Sequence, residues 1–180
     1  MVASDDGRFE FERYRAYLLL LARWQRHKGA DGALDSSDAV QQTLLQAYRK
    51  REQFRGQTQA EMAAWLRQIL AHVIADGCKK RLPRVILDDL DQSTARLENL
   101  LQTAQTTPSE KLQRKEQLLQ LAGAMESLLD DERAAVELTY FHGCSRAEIA
   151  RQLNRPTAKA AGDLVARAMR KLRLRMREHP

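Results

Sequence analysis

Covalent chemistry needs a nucleophile beside a base, a metal cage or a Gly-rich phosphate cradle, and the sequence spaces no residues for any of these. Cys78 and Cys144 form no C-x-x-C pair, and His27, His72, His142 and His179 are too scattered to put two metal ligands on one helical face. The cysteines are expected as reduced, semi-buried thiols and the histidines as helix-surface or loop residues. Neither catalysis nor a cofactor or metal is expected. What the chain does concentrate is charge. Residues 167–177 carry Arg167, Arg170, Lys171, Arg173, Arg175 and Arg177 with no acid among them. Residues 87–98 carry Asp88, Asp89, Asp91 and Glu98 against Arg96 alone. A row of cations suits a polyanionic partner. The acidic stretch suits a basic surface or solubility alone, with solubility ranked slightly higher.

These residues need elements to position them. The chain has 180 residues, 43% hydrophobic and 30% charged, with a net charge of +6, which describes a foldable chain of one or two small domains. Its longest apolar candidate, 17–22, lies between Arg15 and Arg23 and is far short of the roughly eighteen residues of a bilayer span. Asp5, Asp6, Arg8 and Glu10 occupy the place of a signal peptide's apolar region. A cytoplasmic protein with no membrane insertion is expected.

Periodicity is helical throughout. Phe11, Tyr14, Leu18 and Leu21 recur at threes and fours towards Gly29, and Asp31-Gly32 reads as a turn. Asp35 and Ser36 suit an N-cap, Asp38 suits a first turn, and Val40, Leu44, Ala47 and Tyr48 carry a second helix to about Lys50. A polar break at 51–59 surrounds Phe54 and Gly56. The third helix bears the stripe Met62, Trp65, Leu66, Ile69, Leu70, Val73 and Ile74, and runs into Lys79, Lys80 and Arg81 before Pro83. Both aromatic residues, Phe54 and Trp65, are expected in core packing.

Residues 83–108 read as a linker with transient helix. A second helical domain follows, with Ser109 as a cap and Leu112, Leu119, Ala122 and Met125 on one face. A helix from Asp131 to about His142 then closes at Gly143. Ser145-x-x-Glu148 is a capping box opening a short helix whose buried face is Ile149, Ala150 and Leu153. Asn154-Arg155-Pro156 makes a tight break, and a longer basic helix starts at Thr157. Short helix, turn and basic helix make a helix-turn-helix, which lays its second helix in a DNA major groove. The fold class is therefore all-α: a domain at 1–82, a linker at 83–108 and a helix-turn-helix domain at 109–180.

Both halves carry a family pattern. Asp38-Ala39-Val40-Gln41-Gln42, Tyr48-Arg49, Phe54-Arg55-Gly56, Ala64-Trp65-Leu66 and Lys79-Lys80-Arg81 resemble the first domain of extracytoplasmic-function (ECF) sigma factors. Glu132-Arg133, Tyr140-Phe141-x-Gly143, Ala147-Glu148-Ile149-Ala150 and Lys171-Leu172-Arg173 resemble their second. The resemblance implies a non-enzymatic factor that binds core RNA polymerase and promoter DNA. Asp38, Gln41 and Gln42 match the polymerase-docking positions, with helix capping an equal reading for Asp38. The minus-ten element would be met as non-template single strand by the 51–59 loop and the following helix, with Arg51, Arg55, Arg67, Lys79, Lys80 and Arg81 on phosphate.

The minus-thirty-five element would be met as duplex by Arg155, Thr157, Lys159 and Arg167. The run from Thr157 to Asp163 departs from the family's usual helix, which is richer in basic and hydroxyl residues. An anti-sigma protein covering these faces is a further candidate partner. A stand-alone helix-turn-helix regulator is the alternative, and it leaves the first three helices unexplained.

Overall fold

A computed structural model of the chain describes residues 10–27, 34–78, 82–104 and 113–178. Those residues form eight α-helices and two 3-10 turns, without a strand. No described helix is long and apolar enough to cross a membrane. The chain divides into two compact units, Met1–Gln92 and Ser93–Pro180.

In the first unit a 3-10 turn, Phe11–Tyr14, leads into α1, Arg15–His27, followed by α2, Ser36–Arg49, and α3, Gln59–Gly77. α2 packs against both α1 and α3. Tyr17, Leu18, Leu21 and Trp24 of α1 are buried, as are Val40, Leu44 and Ala47 of α2 and Leu66, Leu70 and Val73 of α3. Asp35 caps α2 by accepting the Ser37 amide at 3.1 Å. α3 begins three residues before Met62, because Thr58 and Glu61 form a capping box there. Tyr48, expected in the core, is 50% exposed. By helical spacing it lies just past Leu44, at the margin of the stripe that Val40, Leu44 and Ala47 already complete. Trp65 is half-buried, with its ring centroid 5.2 Å from Phe54 and 6.1 Å from Phe11.

The stretch 83–108, expected as a linker with transient helix, contains the 22-residue helix α4, Pro83–Ala104, and the division between units falls within it. Ile86, Leu90, Ser93, Leu97, Leu100 and Leu101 are all buried and recur at threes and fours. That stripe is narrow, and the Asp, Gln and Thr residues between its members lower the average hydropathy that suggested a linker. Residues 105–108 lie outside the described residues, as do Ser109, Leu112 and the Asp31-Gly32 turn.

The second unit adds α5, Gln113–Glu126, α6, Asp130–Tyr140, α7, Arg146–Gln152, and α8, Ala158–Glu178. α8 packs against α5, α6 and α7. Ala135, Ile149, Ala150, Ala161 and Leu164 form a small core, ringed by Leu138, Cys144, Leu153 and Val165. On α5 the buried leucines are Leu118 and Leu121, and Leu119 is only half-buried. The neighbouring pair Leu118-Leu119 made the helical phase ambiguous by one residue. Gly143 sits at φ +64°, the left-handed conformation expected after a helix end. Cys78 is buried and Cys144 half-buried, and both are free thiols.

Candidate nucleic-acid interface

The N-terminal unit presents two adjoining features, beginning with the outer face of α2. Asp38, Gln41 and Gln42 are all exposed there. The amide bond at the helix start belongs to Asp35, and the Asp38 carboxylate accepts no hydrogen bond among the described residues. Asp38 stands in the first turn of α2, where its charge favours the helix N-terminus. Leu45 and Tyr48, 49% and 50% exposed, continue the same face by helical spacing, and the Arg51 guanidinium stands 4.5 Å from the Tyr48 ring centre. Periodicity alone missed this pair, because a leucine and a tyrosine beside a hydrophobic stripe are easily counted into it.

Next comes the break at 51–59. A short 3-10 turn, Arg51–Gln53, swings the chain into extended Phe54. The Glu61 carboxylate then accepts from the Gln57 amide, the Thr58 amide and the Thr58 hydroxyl, each at 2.9 Å. Those three bonds tie the loop to the first turn of α3. Gly56 is required for the loop's closeness, since a Cβ there would lie 2.4 Å from Phe54 Cζ and 2.7 Å from Glu61 Cβ. A cleft of about 210 Å³ opens beside the loop, lined by Arg13, Tyr14, Phe54, Gln57, Thr58 and Met62 among others.

Of the expected minus-ten cations, Arg55 is exposed and Arg51 half-buried beside Tyr48. Arg67 is committed elsewhere: its guanidinium donates to Asp91 at 2.8 Å and to the Tyr17 hydroxyl at 2.9 Å, joining α3 to α1 and α4. A phosphate reaching Arg67 has to compete with Asp91. Lys79, Lys80 and Arg81 lie outside the described residues.

In the C-terminal unit α7 and α8 pack against each other across a short turn, the connectivity of a helix-turn-helix. Ser145 Oγ accepts the Glu148 amide at 3.3 Å while the Glu148 carboxylate accepts the Ser145 amide at 2.7 Å, closing the expected capping box. Hydrogen bonds from the Ser145 hydroxyl and backbone amide hold the Glu148 carboxyl below its ordinary 4.5. Asn154 takes φ +51° in the turn, and the Arg155 amide reaches back to the Ala150 carbonyl at 2.7 Å. The Thr157 hydroxyl caps α8 by accepting the Ala160 amide at 3.1 Å.

α6 opens with three acids, each with a cation. Asp130 holds Arg133 and Asp131 holds Arg155. Glu132, only 2% exposed, holds Lys171 of α8 at 2.7 Å. Arg155 is thus partly neutralised by Asp131, whereas Thr157, Lys159 and Arg167 are exposed. The buried residues Ala161, Leu164, Ala168 and Leu172 define the inner side of α8, so Lys159, Asp163, Ala166 and Arg170 lie on its outer side. Gly162 serves a neighbour: a Cβ there would meet the Arg146 side chain at 3.3 Å. Arg146, the first residue of α7, thereby lies against α8 and adds a cation that sequence spacing did not suggest.

Sequence comparison agrees with this division. The Sigma-70 region 2 family matches residues 13–82 and the Sigma-70, region 4 family matches residues 118–172. The ECF RNA polymerase sigma factor SigL of Mycobacterium tuberculosis, in three strains, is 30% identical over 168 residues. The alignment covers 92% of this chain and 87% of that relative. No solved structure matches the chain.

Proposed function

Since the chain belongs to the ECF family of RNA polymerase sigma factors, we propose that α2 docks on core polymerase, the 51–59 loop takes the minus-ten element, and α8 reads the minus-thirty-five duplex. The protein binds core RNA polymerase and promoter DNA in transcription initiation, as its family does. The observation that carries the residue-level reading is the outer face of α2. There two large apolar side chains, Leu45 and Tyr48, stay half in water beside the polar set Asp38, Gln41 and Gln42. Such a face suits a partner helix that buries the apolar pair and hydrogen bonds the polar one.

The protein works by binding alone. Non-template bases extruded at the minus-ten element offset part of the free energy of unpairing, and the cleft beside Phe54 and Gly56 is the receptor for one of them. Arg51 and Arg55 of the loop supply phosphate contacts, and the cluster Lys79, Lys80 and Arg81 supplies others. Lys159, Thr157, Arg167 and, once released from Asp131, Arg155 contact the upstream duplex, which a second module on the same chain meets at high effective concentration. The site of action is the cytoplasm, where polymerase and chromosome are. An anti-sigma protein that covered the α2 face would block docking.

Run-off transcription from a promoter library, by core polymerase with and without the protein, tests this. Initiation that depends on the protein and on two promoter elements, and that is lost in the Asp38→Ala, Gln41→Ala double variant, supports the assignment. Undiminished core binding by that variant would move docking away from α2.

A further inference from the structure

Asp163 stands in the wrong place for simple phosphate binding. It is exposed on the outer side of α8, one turn from Lys159 and one from Arg167, in the helix that would enter the groove. No ion pair or hydrogen bond engages its carboxylate among the described residues, although cations stand at i−4 and i+4. A free carboxylate held against duplex DNA is repelled by phosphates on both strands unless a base edge compensates it. Carboxylates only accept hydrogen bonds, and the major-groove edge that presents a donor without an adjacent acceptor is the cytosine N4 amino group.

Reach fits as well. An aspartate is short, so the helix backbone has to come close to the base edges, and on the outer side of α8 Asp163 has the small Ala166 beside it. The longer basic side chains on this part of α8, Lys159, Arg167 and Arg170, lie a turn or more to either side. Base-reading residues of helix-turn-helix proteins lie in the N-terminal part of the recognition helix, where Asp163 lies.

We infer that Asp163 is a specificity residue that accepts a hydrogen bond from a cytosine N4 in the minus-thirty-five element, so that this factor requires a G·C pair at one defined position. The inference rests on the reading of α8 as the duplex-reading helix. Lys159 and Arg167 then fix the register on the flanking phosphates.

The test is selection of promoter duplexes, randomised across the minus-thirty-five element, by core polymerase carrying the full-length protein as wild type, Asp163→Asn or Asp163→Ala. The wild type is expected to favour cytosine at one position by roughly tenfold. Asparagine, which pairs with the N6 and N7 of adenine, should move that preference to adenine. Alanine should abolish it at that position alone, while strengthening binding to unrelated duplex through loss of repulsion. Because Asp163 is exposed and makes no contact, both variants should keep the wild-type unfolding midpoint.

An unchanged base preference in both variants overturns the assignment while leaving the duplex-reading helix intact, since the wild type would still select an element. A wild type that selects no minus-thirty-five element at all overturns the reading of α8 itself, and the role of Asp163 with it.

Discussion

Leu45 and Tyr48 carry the sharpest expectation at the scale of single residues. Each leaves half its surface in water, so replacing it removes little folding energy but much of what a partner would bury. Leu45→Glu and Tyr48→Ala should each leave the thermal midpoint within a few degrees and weaken binding to core polymerase by about tenfold or more. Calorimetric scans beside a core-binding titration read both quantities, and unchanged affinity would remove α2 from the interface. The polar members of this face, Asp38, Gln41 and Gln42, were legible from their motif, because exposed polar residues on an amphipathic helix declare themselves by phase. Leu45 and Tyr48 were not, since an apolar residue at the margin of a stripe is buried or exposed according to how wide the neighbouring helices are. Arg67 and Arg155 show the converse. Both read as free cations in the sequence, and both have an acid from another helix beside them.

Elements make two further expectations. α4 is held by a stripe of leucines, so Leu97→Ala should destabilise the protein by about 2–4 kcal/mol, with the exposed Gln102→Ala near neutral as control. Equal, negligible effects of the two in denaturant melts would return this segment to a linker. The start of α7 depends on pH. The Glu148 carboxyl is held below its ordinary value in the folded state, so its contribution is complete above pH 4.5 and is lost as pH falls through the lowered folded value. Amide exchange at the start of α7 should accelerate in that acid range in the wild type and not in Glu148→Gln, which has no proton to gain. The two capping boxes differ in how plainly the sequence shows them. Ser145-x-x-Glu148 stands directly before a periodic segment, whereas the equivalent Thr58-x-x-Glu61 lies at the end of a polar stretch whose composition reads as a break.

At the scale of the whole molecule, two recognition units on one chain tie two promoter elements to a limited range of separations. Inserting five base pairs between the elements, about half a helical turn, should lower run-off transcript by at least tenfold, because the upstream element turns to the opposite side of the duplex. Equal transcription from both templates would mean that one element suffices. The amino-acid sequence alone determined that this is an all-α chain with a capped helix-turn-helix at its C-terminal end, and its motifs pointed to a sigma factor. Caps, helical periods and turn residues are local signals, readable within a few positions of the residues they organise. Tertiary structure alone decided that 83–104 is helical, that Tyr48 faces water, that Arg67 lies against Asp91, and that Gly162 makes room for Arg146. Each of those outcomes is set by contacts or room contributed by residues distant in sequence, which a local pattern such as the narrow stripe of α4 shows only in part.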